Sequence, residues 1–227
     1  MKKRSKRFKQ EQGLVDVNKT YSAEEAIDLA KKTSAVKFDA GVEVHLRLGI
    51  DVTKADQIVR GTVALPHGTG KTKRVAVFCE GKDQEIATKA GAVLVGSDEL
   101  IKQIQTTGKC DFDIALATPA MMKKLGPVAK ILGPKGLMPN PRNETITKDV
   151  AAGVQALAAG KVTFRNDDSG NIHQLIGRVS FDQEKLLANY HAFTDALKKS
   201  KPQGAKGVFI KNIVLSTTMG PGIKVQI

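Results

Sequence analysis

The chain has 227 residues, with 36 Lys and Arg against 23 Asp and Glu, for a net charge of +13. That excess suits a polyanionic partner, because each cation facing a phosphate releases condensed counterions, but it does not separate RNA from DNA or from an anionic membrane. The two cysteines, Cys79 and Cys110, stand far apart and the four histidines (His45, His67, His173, His191) are scattered, which excludes a C-x-x-C zinc site, an evident catalytic triad and a disulfide-built secreted fold; no metal and no cofactor are expected.

The first ten residues are an arm with six positive charges, either a disordered tail or an arm that settles on phosphates. No apolar run follows it, so it is not a signal peptide, and no segment reaches the apolar length of a membrane span. Ser22 with Glu25 three residues later is a capping box, and Ala26, Ile27 and Ala30 give the first helix a modest apolar stripe. Val42, Val44, Leu46 and Leu48 alternate with Glu43, His45 and Arg47, a strand with one buried and one wet face. A second strand, Thr62 to Leu65, runs into Pro66-His67-Gly68.

From there short apolar runs alternate with helices. Val75 to Phe78, Ala92 to Val95 and Asp113 to Ala117 read as strands. Asp83 to Ala90 reads as a helix, Ser97 caps another, and Thr118 caps a third with Pro119 at its first position. That order predicts a parallel sheet covered on both faces. Beyond the Gly/Pro-rich loop Gly133 to Pro141, Thr147 caps a helix that ends before Gly160. Lys161 to Arg165 and Ile172 to Val179 flank Asn166-Asp167-Asp168-Ser169-Gly170-Asn171, a hairpin signal. Asp182 caps a helix bearing Leu186, Leu187, Tyr190, Phe193 and Leu197. Val208 to Thr217 is the last long strand.

The economical topology is an α+β split domain, residues 1–67 and 160–227 together, with an inserted three-layer α/β Rossmann-like domain, residues 68–159. The chain crosses between them at Pro66, His67 and Gly68 and again at Ala159 and Gly160. Glycine at both crossings makes a hinge plausible there. Gly68-Thr69-Gly70-Lys71-Thr72 resembles the end of a phosphate-binding loop, but Leu65 stands where the first glycine belongs and a strand, not a helix, is predicted next. A flexible joint is the better reading.

Only ten residues are aromatic, eight Phe and two Tyr. Proteins that read unstacked bases use aromatics as stacking platforms, so an RNA partner would be read through backbone, shape and 2′-hydroxyls. Lys37-Phe38-Asp39 places an aromatic between opposite charges; by itself it reads as a Phe anchoring a loop to the core. Arg165-Asn166-Asp167 reads as a polar turn. Thr217-Thr218-Met219-Gly220-Pro221 ends an apolar strand with small groups that suit close approach to a sugar-phosphate backbone.

At these residues the chain resembles the bacterial ribosomal protein L-one family. The resemblance rests on Lys37-Phe38-Asp39, on Arg60-Gly61-Thr62-Val63-Ala64-Leu65-Pro66-His67-Gly68, on the run Ile131 to Pro141, on Phe164-Arg165-Asn166-Asp167 and on Thr217-Thr218-Met219-Gly220-Pro221. These motifs occur in order along nearly the whole chain. Lys135, where Arg is expected, and Asn143-Glu144-Thr145 depart from the pattern, both in the insert. The resemblance implies a non-enzymatic constituent of the large ribosomal subunit, monomeric when free. It implies binding to the mobile stalk of large-subunit rRNA beside the tRNA exit site, help in releasing deacylated exit-site tRNA, and repression of the protein's own mRNA. It implies RNA contacts at Lys37, Phe38, Arg165, Asp167, Thr217, Thr218, Met219 and Gly220, in the cytoplasm and with no membrane partner. Lys37 and Arg165 would pair with phosphates, and the Thr hydroxyls and the Gly220 main chain would meet ribose and backbone. Phe38 and Met219 would shield those bonds from water. Asp167 would accept from a 2′-OH or base amino group, or orient Arg165. A nucleotide-binding enzyme built on the insert and a general basic nucleic-acid-binding protein are the alternatives.

Overall fold

The computed structural model describes residues 4–71, 73–141, 144–147, 149–158 and 160–227. The fold mixes α-helices and β-strands, and it divides into two compact units, residues 1–70 with 163–227, and residues 71–162.

In the first unit, strands β1 (Gly41–Leu48), β7 (Asn171–Arg178), β8 (Ile210–Thr217) and β9 (Ile223–Val225) form an antiparallel sheet in the order β7-β1-β8-β9. Alternation along β1 sends Val42, Val44, Leu46 and Leu48 to a buried face. There they meet helices α2 (Ala23–Lys32) and α7 (Gln183–Lys199), which pack on each other and on the strands. Ile27, Ile172, Ile176, Leu186, Phe193 and Leu197 are fully buried around them. The Ser22 and Glu25 capping box is formed, with both reciprocal bonds present, a device that stabilises a helix start by about 1 kcal/mol. Strand β2 (Arg60–Ala64) pairs with β6 (Lys161–Arg165) in a separate ribbon. Phe164 of that ribbon meets Phe193 of α7 edge-on at 5.6 Å.

Two expectations in this unit are corrected, and a third holds in position but not in bonding. The arm contains a helix, α1 (Lys6–Gly13), whose start is held by Phe8 N–H donating to Ser5 Oγ at 3.3 Å. The segments around Asn166 to Asn171 do not form a hairpin, since β6 joins β2 while β7 joins β1. The physical cause is Asn166. It is buried, its N–H donates to the Val59 carbonyl, and its side-chain oxygen takes the Val59 N–H at 2.8 Å, which fixes the chain to the β2 side. Asp182 stands at the cap of α7 but makes no capping bond, because its carboxylate pairs with Lys185 at 2.8 Å.

In the second unit β3 (Val75–Phe78) lies parallel between β4 (Leu94–Gly96) and β5 (Ile114–Ala117). Its residues alternate between two cores. Val75, Val77 and Cys79 pack with Ala87 of α3 (Lys82–Lys89) and with Val150, Val154 and Leu157 of α6 (Val150–Ala158). Ala76 and Phe78 pack with Leu100, Ile101 and Ile104 of α4 (Asp98–Thr107). Burial pushes the Cys79 thiol up to about 11, so it stays protonated. The Ser97 side chain makes no capping bond to α4.

Thr118 and Pro119 do not open a helix. Successive turns follow instead, with Met121 N–H to Thr118, Lys124 and Leu125 N–H both to Met121, and Val128 N–H to Leu125. Pro127, which lacks an N–H, falls where a longer helix would need one, and only the short α5 (Ala129–Leu132) forms. Asp149, not Thr147, caps α6, its carboxylate accepting the Ala152 N–H at 3.2 Å.

Asn189 of α7 is fully buried and holds the exit from β2. Its side-chain oxygen accepts the His67 N–H at 3.1 Å, and its amide donates to the Gly68 carbonyl at 2.9 Å and to the Ile176 carbonyl at 2.8 Å. Asn189→Leu leaves one donor and two acceptors without partners and is expected to destabilise the first unit by about 2–4 kcal/mol. Both tyrosines, Tyr21 and Tyr190, lie in that unit, so urea unfolding followed by tyrosine emission reads it alone. A loss below about 0.5 kcal/mol would contradict the assigned role.

Candidate nucleic-acid interface

The two helices cover one face of the four-stranded sheet, and the other face carries polar rows. Register pairs Glu43 with Ser216, then His173 with His45, His45 with Val214 and Val214 with Lys224, then Asn171 with Arg47 and Arg47 with Asn212. These are the side chains that alternate away from the core.

One end of this face is the exit from β8. Thr218 N–H donates to the Gly41 carbonyl at 2.9 Å, and Thr218 Oγ1 accepts the Gly41 N–H at 3.1 Å. Gly220 N–H then turns back to the Thr217 carbonyl at 2.8 Å. Between them Met219 takes a left-handed backbone, φ +71, and its side chain is 65% exposed. A non-glycine residue in that region carries strain of about 1 kcal/mol or more. Thr217 lies beneath the turn. Its hydroxyl is buried and unpartnered, so it does not face solvent. A Cβ at residue 220 would stand 2.2 Å from that hydroxyl, which is why glycine is needed there.

Lys37 and Phe38 lie in the loop that feeds Gly41, and both are exposed. Phe38 is 54% exposed, so it does not anchor the loop. Asp39 does, accepting the Ser180 N–H at 3.1 Å and the Ser180 hydroxyl at 2.9 Å.

Asp167 is committed to its own turn. One oxygen accepts the N–H groups of Asn171 at 2.7 Å and Ser169 at 2.9 Å, and the other accepts from the Asn171 side chain. The Asn171 N–H bond, foremost, holds its carboxyl below the usual range. Arg165 is exposed at the end of β6, in the ribbon, and its guanidinium is not among the partners of Asp167. Orientation of Arg165 by Asp167 is therefore not its role here.

Sequence reasoning missed two parts of this surface. The histidines are not all scattered: His45 and His173 meet across β1 and β7 with their Nδ1 atoms 2.8 Å apart. The N-terminal segment also reaches the β8 exit. Arg4, Ser5, Arg7 and Phe8 line a groove of about 410 Å³ with Met219 and Gly220, and the Arg4 guanidinium lies 4.6 Å from the centre of the Phe8 ring. Neither has a local signal; both depend on strand register and on where α1 docks. Of the proposed hinge residues, Pro66 and His67 are exposed, but His67 and Gly68 are tied to Asn189. Gly160 has φ +107. Ala159 lies outside the described residues, as do Lys2 and Lys3 of the arm and Thr72 after Lys71.

Among the described residues no group of three or more His, Cys, Asp or Glu could hold a metal ion, and no helix is long and apolar enough to cross a membrane. Fold and surface together define a basic α/β protein whose distinctive side chains lie on an open sheet face. The sequence profile of the Ribosomal protein L1p/L10e family matches residues 30–221. The chain is 55% identical over 224 residues to the large ribosomal subunit protein uL1 of Thermobifida fusca, covering 99% of this chain and 95% of that one. It is 55% identical to the protein of the same name from Mycoplasma capricolum, covering all of both chains, and 52% identical to that of Thermosipho melanesiensis, covering 100% and 97%. The chain belongs to the ribosomal protein L1 family. It is a protein of the large ribosomal subunit and not an enzyme.

The geometry at Met219 separates stability from surface role. Met219→Gly removes the left-handed strain and no buried contact, so it is expected to leave the melting temperature unchanged or raise stability by up to about 1 kcal/mol, the added chain entropy of glycine partly offsetting the gain. A loss of more than about 1 kcal/mol in tyrosine-monitored unfolding would show that the side chain packs as a fold element.

Proposed function

We propose that this protein binds the mobile stalk of large-subunit rRNA beside the tRNA exit site, assists the release of deacylated tRNA, and represses translation of its own mRNA. It works in the cytoplasm, on the ribosome. The observation that carries the reading is the β8 exit, where a strained turn holds Met219 out into solvent beside Gly220. Such a turn persists only where the surroundings over-determine it, and strain of this kind clusters at binding sites.

Lys37 and Arg165 pair with phosphates. The Gly220 main chain and the outer side of Thr218 approach ribose, while Phe38 and Met219 cover the polar bonds. Thr217 supports the turn from beneath, and Asp167 keeps its own loop in shape. The first unit acts as a split α+β RNA-binding domain, and the second as an inserted three-layer Rossmann-like domain. The pinning of His67 and Gly68 to α7 argues for a first pivot just beyond Gly70, with Gly160 near the second.

The test is binding of full-length protein to a stalk RNA fragment and to duplex DNA of equal length. Specific binding to the RNA is expected, with Met219→Gly and Phe38→Ala each weakening it about tenfold, or roughly 1.4 kcal/mol. The plot of log affinity against log salt should have a slope of only a few ions, at about 0.7 to 0.9 per phosphate contact. Equal affinity for the duplex, with a slope near about ten, would mark a nonspecific polycation binder instead.

A further inference from the structure

The His45–His173 pair has no part in the contacts named so far, and its geometry restricts its protons. With the Nδ1 atoms 2.8 Å apart, one ring must donate an N–H and the other accept it. On the far sides, His45 Nε2 lies 3.0 Å from Ser216 Oγ and 3.8 Å from a Glu43 oxygen. His173 Nε2 lies 3.6 Å from an Asp167 oxygen. The uncharged pair has two arrangements, according to which ring donates, and the one that turns an N–H toward Asp167 is as follows. His45 Nδ1–H donates to His173, His173 Nε2–H points at Asp167, and His45 Nε2 accepts the Ser216 hydroxyl.

One further proton fits without moving a ring. It lands on His45 Nε2, with Ser216 Oγ as acceptor and Glu43 beside it. A second would set two N–H groups head to head at 2.8 Å, which hydrogen bonding forbids. The pair therefore takes up a single proton as long as it stays together. In the free protein, burial first and then the neighbouring His173 hold the His45 pKa below its ordinary 6.5, while Glu43 pulls the other way. The charged groups facing the pair are Glu43 and Arg47 on β1, Asp167 before β7, and Lys224 on β9 in the same row; β8 contributes uncharged Ser216 and Val214. The helices lie on the opposite face.

We propose that the His45–His173 pair is a further RNA contact on this sheet face and that docking of a phosphate there drives uptake of one proton. The inference rests on the RNA-binding reading above. Arg47 stands two residues along β1 and Lys224 two strands over in the same row, while the charges nearest the rings are the Glu43 and Asp167 carboxylates; the protonated pair therefore adds a cation to this face only when a phosphate arrives to stabilise it. An anion within a few ångströms favours the charged imidazole. Linkage fixes the sign: a complex that binds more protons than its free parts loses affinity as pH rises.

The experiment measures affinity for the stalk RNA fragment between pH 5.5 and 8, for the full chain and for His45→Gln and His173→Gln. The wild type should lose about three- to tenfold in affinity between pH 6 and 8, a one-unit shift in pKa corresponding to about tenfold. Both variants should show a flatter profile, since the RNA's own titration is common to all three. Calorimetry at pH 7 in buffers of different ionisation heat should show proton uptake for the wild type that disappears in His45→Gln. Equal slopes and equal uptake in wild type and variants would overturn the proposal while leaving RNA binding intact. Failure of the wild type to bind the RNA at any pH would overturn the RNA reading itself. Nitrogen-15 spectra of the free protein give an independent check: separate, freely exchanging tautomers for the two rings would refute the shared proton.

Discussion

Alternation along β1 is the constraint on which the first unit depends. A strand sends successive side chains to opposite faces, and this one is central in its sheet, with β7 on one side and β8 on the other. Its apolar set must be buried, and α2 and α7 bury it. The opposite set, Glu43, His45 and Arg47, then faces outward. A one-residue slip of register would exchange the two faces, and the core would reject Glu43 and Arg47. Burial of valines and leucines thus decides where the polar groups of the surface stand.

The same sheet sets the geometry of the β8 exit. Thr218 is fixed twice to Gly41, the first residue of β1, so the turn after it cannot relax by sliding. Gly220 fits over the Thr217 hydroxyl only because it lacks a Cβ. Met219, between these two fixed points, is left with the left-handed conformation and an outward side chain. The unpartnered Thr217 hydroxyl and the strained Met219 both cost stability. For a large-subunit ribosomal protein, an exposed thioether at a strained turn, in a groove shared with Arg4 and Arg7, suits contact with an RNA backbone.

Much of the fold was legible because it follows short-range rules. The capping box at Ser22, the alternation of β1 and the apolar runs of β3 and β5 each carry their signal within a few residues. The misreadings have a common cause, a distant partner that outweighs the local signal. The sequence from Asn166 to Asn171 looks like a hairpin turn, but Asn166 is bonded to Val59, 107 residues away. Thr118-Pro119 looks like a helix start, but a run of separate turns leads to Pro127. The surface was legible only through its resemblance to a family. Phe38 alone read as a core anchor yet is exposed, and Thr217 is buried, because burial is not written in either residue. The meeting of His45 with His173 requires the register of two strands 128 residues apart, and no spacing rule anticipates it.

RNA docking on the open sheet face and the β8 exit is open to direct measurement. Amide chemical-shift mapping of the full-length protein, titrated with a stalk RNA fragment, tests it most directly. The largest shifts are expected at Phe38, Gly41, His45, Met219 and Gly220, with the amides of β3, β4 and β5 unmoved. Shifts concentrated in the second unit, with Met219 and Gly220 unchanged at saturation, would contradict it.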